Sequence, residues 1–240
     1  MPVAGAGRAV AFDAPGLAIR GRYHPPEGQA PRRLWVVIEG DGAAWRNGIA
    51  PADPTPRRPV GPSVLAVLPE TDGRLWLARP CQFLTPAELR DCAPRHWTGG
   101  RFAPEILDAY DRMIDAEARG APVVLVGFSG GGVIAADLAL RRADVAGLAT
   151  LAAPLDLEAW TAHHGVPPLD EAQPSGQRLR GLAQSGLPAI HLFGGSDRVV
   201  PPAMLGRTQA MLQGVETVPG AGHDADWAAI LAPRLEAFSR

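Results

Sequence analysis

The segment from residue 122 to residue 142, PVVLVGFSGGGVIAADLALRR, constrains the fold more than any other part of the chain. Its first half is an apolar, β-branched run between a proline and a glycine, which is typical of a strand buried on both faces. Its second half combines apolar residues with good helix formers and predicts a helix that packs back on the sheet. A strand followed so closely by a helix indicates an α/β architecture.

A serine between two glycines, Ser129, lies between this strand and this helix in the pattern G-x-S-x-G. At so tight a turn the serine backbone is strained, and the flanking positions must lack side chains so that strand and helix can approach. The turn exposes the Oγ atom, and the first N–H groups of the helix point to where negative charge would be stabilised. We therefore expect Ser129 to be a nucleophile and the N–H of Gly130 to stabilise an oxyanion. An incidental serine in a glycine-rich turn is the alternative.

The remaining apolar runs alternate with amphipathic segments and predict a mostly parallel central sheet with helices on both faces. Strands are predicted at 8–12, 17–23, 34–38, 74–78, 123–126, 145–152, 188–193 and 215–218. Helices are predicted at 64–69, 103–118, 201–212 and 224–238, besides the one after Ser129. The stretch 154–186 indicates a small, partly helical cap insertion. A length of 240 residues without an internal repeat fits one α/β domain over 1–240.

The composition argues against several classes of function. With 23 basic and 25 acidic residues the net charge is −2, so nothing indicates a nucleic-acid partner. Every basic residue is an arginine, which excludes a lysine Schiff base. No apolar run approaches the roughly 20 residues that span a bilayer. Cysteines and histidines lack the spacing of a zinc site, and the glycines lack the order of a dinucleotide fingerprint, so we expect no metal and no organic cofactor.

Two observations bear on the cellular compartment. The first residues of the sequence lack the layout of a signal peptide, so a cytoplasmic location is the default expectation. Cys81 and Cys92 lie in one short segment that contains a proline and could close a small loop. Reduced thiols are expected in a chain that is not exported, whereas so close a pair in an exported chain would be bridged. A periplasmic or exported location therefore stays open.

Two further residues that can carry chemistry, Asp197 and His223, each follow a predicted strand. Because the carboxyl ends of parallel strands meet at one edge of a sheet, we expect both side chains to lie near Ser129. A hydroxyl becomes a nucleophile when an imidazole takes its proton, and a carboxylate must orient that imidazole. Asp156 is the rival acid, Asp197 could merely cap a helix, and His223 could be a surface histidine.

Three motifs, GFSGG, FGGSDRVVPP and PGAGHDADW, together resemble the α/β-hydrolase superfamily over nearly the whole chain. The resemblance implies the α/β-hydrolase fold, with Ser129 as nucleophile, Asp197 as orienting acid and His223 as general base. The stretch IEGDG resembles the oxyanion loop of such enzymes, often HG-x-G, here with Glu39 where histidine is common. It implies the Asp41 N–H as the second oxyanion donor. IEGDGAAW, RPCQ and HWT resemble a group of small bacterial hydrolases, often exported.

The expected function is hydrolysis of a small-molecule carboxylic ester through an acyl-enzyme. A peptidase, an amidase or an acyltransferase could use the same triad, because the triad does not choose the leaving group. A non-catalytic binding protein on a hydrolase scaffold is the alternative from another class, and it predicts a broken triad. Side chains between Arg79 and Trp97 either line the cleft or serve packing. The sequence indicates no oligomeric state.

Overall fold

The computed structural model of the protein describes residues 7–26, 32–45 and 49–238. The first six residues of the N-terminal stretch, on which the expectation about export partly rests, lie outside these ranges. So do residues 46–48 of the long loop that follows the predicted strand at 34–38. Helices and strands are given below for the described residues.

A mixed sheet of eight strands forms the centre of the described chain. Its strands are β1 (Arg8–Ala14), β2 (Leu17–His24), β3 (Leu34–Ile38), β4 (Gly73–Leu77), β5 (Val123–Phe128), β6 (Val145–Leu151), β7 (Ala189–Gly194) and β8 (Val215–Val218). They lie in the order β1-β2-β4-β3-β5-β6-β7-β8. The pairs β1–β2 and β2–β4 are antiparallel, and every pair from β4 to β8 is parallel. The mostly parallel sheet is thus confirmed.

Helices cover both faces of this sheet. They are α1 (Gly61–Ala66), α2 (Pro86–Leu89), α3 (Pro104–Ala118), α4 (Gly130–Arg141), α5 (Leu157–His164), α6 (Ser175–Gln184), α7 (Gly206–Met211) and α8 (Trp227–Leu231). Apolar residues of α3, α4 and α6 form the core on one face, and those of α1 and α8 form the core on the other. Within the described ranges no helix is long and apolar enough to cross a bilayer.

Three predicted helices differ from the structure, and for two of them a proline gives the local cause. The helix expected at 64–69 begins earlier, at Gly61, and ends before Pro69, since the residue that precedes a proline disfavours the helical conformation. The helix expected at 201–212 divides into a 3₁₀ turn, Pro202–Met204, and α7. The helix expected at 224–238 becomes α8 and a 3₁₀ segment, Ala232–Phe238, whose proline lacks an N–H donor.

The stretch 154–186 contains two helices with different surroundings. In α6, Arg178 forms an ion pair of 2.6 Å with Asp137 of α4, and both side chains are fully buried. Two leucines of α6 belong to the main core, so this helix is part of the layer that covers the sheet. From the first half of the stretch, Pro154 and Trp160 border the cleft described below.

Cys81 and Cys92 form a disulfide with their Cα atoms 6.2 Å apart. The sequence had left open whether these cysteines are bridged. The bridge closes a segment that contains α2 and leads into a short 3₁₀ helix, Pro94–Trp97. The predicted irregular stretch after β4 is therefore held together by a covalent crosslink, next to the edge of the sheet where the parallel strands end.

Candidate active site

Ser129 lies in the turn between β5 and α4 with φ 51° and ψ −125°. This left-handed φ is strained for a residue with a side chain. A Cβ atom at Gly127 would lie 2.3 Å from the Gly131 carbonyl oxygen, and one at Gly131 would lie 2.4 Å from the Ile38 carbonyl oxygen. Side chains are therefore excluded at both positions, as the G-x-S-x-G pattern indicates, and the serine is held at the carboxyl edge of the sheet.

The structure brings the three predicted catalytic side chains into one hydrogen-bonded chain. The Nε2 atom of His223 lies 3.1 Å from the Oγ atom of Ser129. The Nδ1 atom of the same ring lies 2.8 Å from Oδ2 of Asp197. The other carboxylate oxygen, Oδ1, accepts the backbone N–H groups of Val199 and Val200 at 2.7 and 2.9 Å. The carboxylate is thus fixed by the protein on one side and available to the imidazole on the other.

The contacts around Asp197 and His223 favour an ionised carboxylate and a fixed imidazole. Burial of the Asp197 side chain raises its pKa, but the hydrogen bond and charge of His223, with the two backbone N–H groups, hold the pKa below its usual range. The Trp227 indole donates to the His223 carbonyl at 2.9 Å, and the Phe128 ring packs 5.1 Å from the imidazole centroid. These contacts limit the positions that the ring can take.

Asp156, the rival acid, and His191 make contacts elsewhere in the structure. Asp156 caps α5 through the N–H of Ala159 and lies 3.4 Å from the Nε atom of Arg207. His191 is buried in β7, where its Nδ1 atom lies 2.9 Å from the Thr150 hydroxyl and burial lowers its pKa to about 4. Neither side chain takes part in the hydrogen bonds that link Ser129, His223 and Asp197. The expectation that His191 is a core residue fits this position.

The two candidate oxyanion donors border Ser129 from different elements. Gly130 begins α4, and Asp41 follows β3 in the loop that also contains Gly40. A Cβ atom at Gly40 would lie 3.3 Å from Cβ of Ser129, so this loop packs directly against the serine. In the described part of the chain, neither the Gly130 N–H nor the Asp41 N–H has an acceptor. Both donors are therefore available to a bound group.

The carboxylate of Glu39 holds the loop that follows β3. It accepts the backbone N–H groups of Gly40, Val60 and Gly61 at 3.0, 3.2 and 2.8 Å. The residue is 1% exposed, and burial raises the pKa of its carboxyl against the effect of these hydrogen bonds. Glu39 thus joins the loop after β3 to the beginning of α1.

The segment that follows β4 supports the same loop. The Gln82 amide donates to the Gly40 carbonyl at 2.9 Å, and its oxygen accepts the Arg79 N–H at 3.1 Å. His96 lies 2.6 Å from the Gly16 carbonyl, and Trp97 donates to the Pro51 carbonyl at 3.1 Å. These side chains, for which the sequence allowed a place in the cleft, have packing and support roles instead.

The Asp41 side chain, as distinct from its N–H, pairs with two arginines. Its Oδ1 lies 3.0 Å from Nε of Arg79, and its Oδ2 lies 2.9 Å from Nε of Arg101. Sequence reasoning missed Arg101 entirely. The only signal was its position in the stretch HWTGGRF, between a buried tryptophan and a buried phenylalanine.

A cleft of about 340 Å³ opens above Ser129 and His223. Its walls are mainly apolar, with Trp45, Phe128, Pro154, Trp160 and Val199. Two arginines, Arg58 and Arg101, also line it. No group of three or more metal-binding side chains occurs in the described ranges that could hold a metal ion. The arrangement combines a hydroxyl within hydrogen-bond distance of an imidazole, two free N–H donors and a pocket of the size of a small organic molecule.

Comparison with solved structures identifies the fold. An α/β serine hydrolase without a lid from Xanthomonas campestris superposes with a TM-score of 0.59 at 14% identity, covering 98% of this chain and 94% of that one. The esterase domain of a Rhodothermus marinus protein gives a TM-score of 0.64 at 19% identity and covers 98% of both chains. A puromycin-hydrolysing peptidase from Mycobacterium tuberculosis gives 0.59 at 16% identity, covering 96% of this chain and 38% of that one. No protein-family model matches the chain, and no curated protein matches its sequence. The chain has the α/β-hydrolase fold.

Proposed function

We propose that this protein, whose chain has the α/β-hydrolase fold, is a serine hydrolase that cleaves small carboxylic esters through an acyl-enzyme. One observation carries the proposal: Ser129, His223 and Asp197 form a continuous chain of contacts of 3.1 and 2.8 Å at the edge of the sheet. This geometry is what a hydroxyl needs in order to lose its proton as it attacks. It also argues against the non-catalytic alternative, which predicts a broken triad.

In the proposed acylation step, Oγ of Ser129 attacks the carbonyl carbon of the ester while Nε2 of His223 takes the hydroxyl proton. Asp197 accepts the Nδ1–H and stabilises the imidazolium that forms. The carbonyl oxygen becomes an oxyanion, to which the N–H groups of Gly130 and Asp41 donate. When the tetrahedral intermediate collapses, His223 gives its proton to the leaving alkoxide oxygen, and the acyl group stays on Ser129.

Deacylation repeats these roles with water in place of the serine. His223 takes a proton from a water molecule, whose oxygen attacks the acyl carbonyl, and the same two N–H groups hold the second oxyanion. Collapse breaks the bond between the acyl carbon and Oγ, and His223 returns the proton to Ser129. One water is consumed, and one carboxylic acid and one alcohol are released. The scheme uses this chain's own residues and water.

Amide hydrolysis is the second candidate, because the similar structure from Mycobacterium tuberculosis belongs to a peptidase. The triad places no constraint on the leaving group, so the choice between ester and amide depends on the rest of the cleft. A purified sample should hydrolyse p-nitrophenyl butyrate much faster than the anilide of the same acid. An equal or higher kcat/KM for the anilide would favour the amidase.

The direct test is Ser129→Ala, assayed with p-nitrophenyl acetate and butyrate. Loss of the nucleophile should lower kcat by about 10⁴-fold or more, with unchanged circular dichroism and thermal midpoint. Ser185→Ala, which alters an exposed serine at the end of α6, is the matched control and should retain full activity. Turnover by Ser129→Ala at a rate near that of the wild type would refute the assignment.

A further inference from the structure

Two buried arginines beside the cleft share one carboxylate. The guanidinium groups of Arg79 and Arg101 both pair with the single carboxylate of Asp41, at 3.0 and 2.9 Å. Their side chains are 2% and 4% exposed, so water solvates neither charge well. The single Asp41 carboxylate does not supply acceptors for all the N–H groups of two guanidiniums, and a buried donor without an acceptor is costly.

Arg101 is the guanidinium that a ligand can reach, because it lines the cleft together with Ser129. Its Nη1 donates to the Thr98 carbonyl at 3.0 Å. Its Nε is sealed from solvent and faces Asp41 without hydrogen-bond geometry. Its Nη2 has no acceptor among the described residues. The N–H groups of Nη2 are therefore the donors that remain for a bound anion.

Packing holds the Arg101 guanidinium in place. Its central carbon lies 5.2 Å from the ring centroid of Phe102 and 5.5 Å from that of Trp160. Trp160 is itself positioned by a hydrogen bond of 2.8 Å from its indole to the Val199 carbonyl. A guanidinium packed against two rings loses little side-chain entropy when it binds a ligand, which favours affinity.

Apart from Asp41, the described charged groups around the cleft form no ion pair with Arg101. The Glu39 carboxylate, which also lines the cleft, is 1% exposed and accepts three backbone N–H groups. Asp41 is shared by two arginines, as described above. Arg58, an exposed residue of the loop that precedes α1, adds a second cation to the lining. The cleft thus has apolar walls, the Ser129 hydroxyl and two guanidinium groups, those of Arg101 and Arg58.

We propose that the preferred substrate is an ester with a carboxylate in the same molecule, such as the monoester of a dicarboxylic acid, and that Arg101 binds this carboxylate. This inference rests on the proposed esterase function and adds the substrate class. The apolar walls fit the methylene chain between the ester and the carboxylate, and Arg58 lies where it attracts the anion from solution. A charge-assisted hydrogen bond of this kind is about twice as strong as a neutral one.

The test compares two esters of equal chain length, mono-p-nitrophenyl adipate and p-nitrophenyl hexanoate, with the background from Ser129→Ala subtracted. We expect the wild type to favour the anionic ester by about 10- to 100-fold in kcat/KM, as one charged hydrogen bond allows. Arg101→Gln should lose this preference mainly through a higher KM, and Arg101→Lys should keep part of it. Arg112→Gln, an exposed arginine of α3, is the control and should keep all of it.

A binding measurement tests the proposed carboxylate subsite at Arg101 independently of turnover. Calorimetry on Ser129→Ala should show that adipate binds and that the neutral diamide, adipamide, does not, at equal ionic strength. If adipate binds but neither ester is hydrolysed by the wild type, the proposed function fails and the anion subsite stands. If the wild type hydrolyses both esters equally and adipate binds no better than adipamide, the subsite is refuted and the esterase stands. A poorly folded Arg101→Gln leaves both comparisons on the wild type and Ser129→Ala intact.

Discussion

The two sides of the cleft are built in different ways. On one side, which we call the strand-end side, Ser129, Asp197 and His223 follow β5, β7 and β8 within a few residues. On the other, which we call the loop side, buried ion pairs and the Gln82 amide join residues 39–42 to residues 79–101, and the disulfide crosslinks the second segment internally. The first side depends on the sheet, and the second depends on polar links between two loops and a disulfide within one of them.

This difference separates two tasks. Strand ends are fixed by the sheet and by the core on both of its faces, so they can hold reacting groups to within fractions of an ångström. Loops tolerate change more easily, because they carry less of the core. We infer that the strand-end side performs the chemical steps, whereas the loop side selects the substrate and completes the oxyanion site. The following predictions test that division, from the largest expected effect to the smallest.

The largest effect is expected for Asp197→Asn on the strand-end side. The amide cannot stabilise the imidazolium, and it favours the wrong tautomer of His223, so kcat for p-nitrophenyl butyrate should fall by about 10⁴-fold. Asp156→Asn is the matched variant of the rival acid, and it should change kcat by less than a few-fold. A larger loss in Asp156→Asn than in Asp197→Asn would show that the acid was wrongly assigned.

The next effect is expected for Glu39→Ala on the loop side. Removal of the carboxylate leaves three backbone N–H groups without their acceptor in a buried site, so the free energy of unfolding should fall by about 3 kcal/mol. Urea denaturation measures it. Glu70→Ala, which removes a carboxylate that is 71% exposed, should have almost no effect. Equal losses in the two variants would contradict a structural role for Glu39.

Removal of the disulfide should have an effect of similar size on stability. The bridge joins cysteines with a sequence separation of 11, and closure of so short a loop stabilises the folded state by about 3 kcal/mol in the chain-entropy model. A reducing agent should therefore lower the thermal midpoint of the wild type. The variant with Cys81→Ala and Cys92→Ala should have the lower midpoint with or without the agent. If the reducing agent leaves the thermal midpoint of the wild type unchanged, this result would contradict the presence of a stabilising disulfide.

The smallest effect concerns His191 in β7. Its pKa of about 4 in the folded state lies below that of an exposed histidine, so the unfolded chain binds a proton in acid that the folded chain does not. The free energy of unfolding is therefore highest above the unfolded-state pKa of histidine, near 6.5. It decreases as the pH falls toward 4, and at pH 5 the loss is about 2 kcal/mol. His191→Gln should flatten this dependence in urea denaturation, whereas the exposed His163→Gln should leave it unchanged.

The sequence predicts more of the strand-end side than of the loop side. The strands and the turn around Ser129 follow from local patterns, because a buried strand, a glycine-flanked serine and a helix stand next to each other. Asp197 and His223 could be found because each follows a strand, and the ends of parallel strands converge. The catalytic roles of these residues stay predictions, although the structure brings the three side chains together.

The loop side could not be predicted to the same extent. The contact of Asp41 with Arg101 joins segments far apart in the sequence, and no periodicity marks either residue. The sequence predicted that the Asp41 N–H lies near the oxyanion but gave no sign that the Asp41 side chain contacts two arginines. The division of the last predicted helix likewise depends on one proline within an otherwise helical pattern.

The most direct test of the central claim is the reaction of the protein with a fluorophosphonate, followed by mass spectrometry of its peptides. The reagent modifies only a hydroxyl that a neighbouring base has activated. We predict a single adduct on Ser129, formed rapidly in the wild type and at least about 100-fold more slowly in His223→Ala. No adduct in the folded wild type, or an adduct on another serine, would contradict the account.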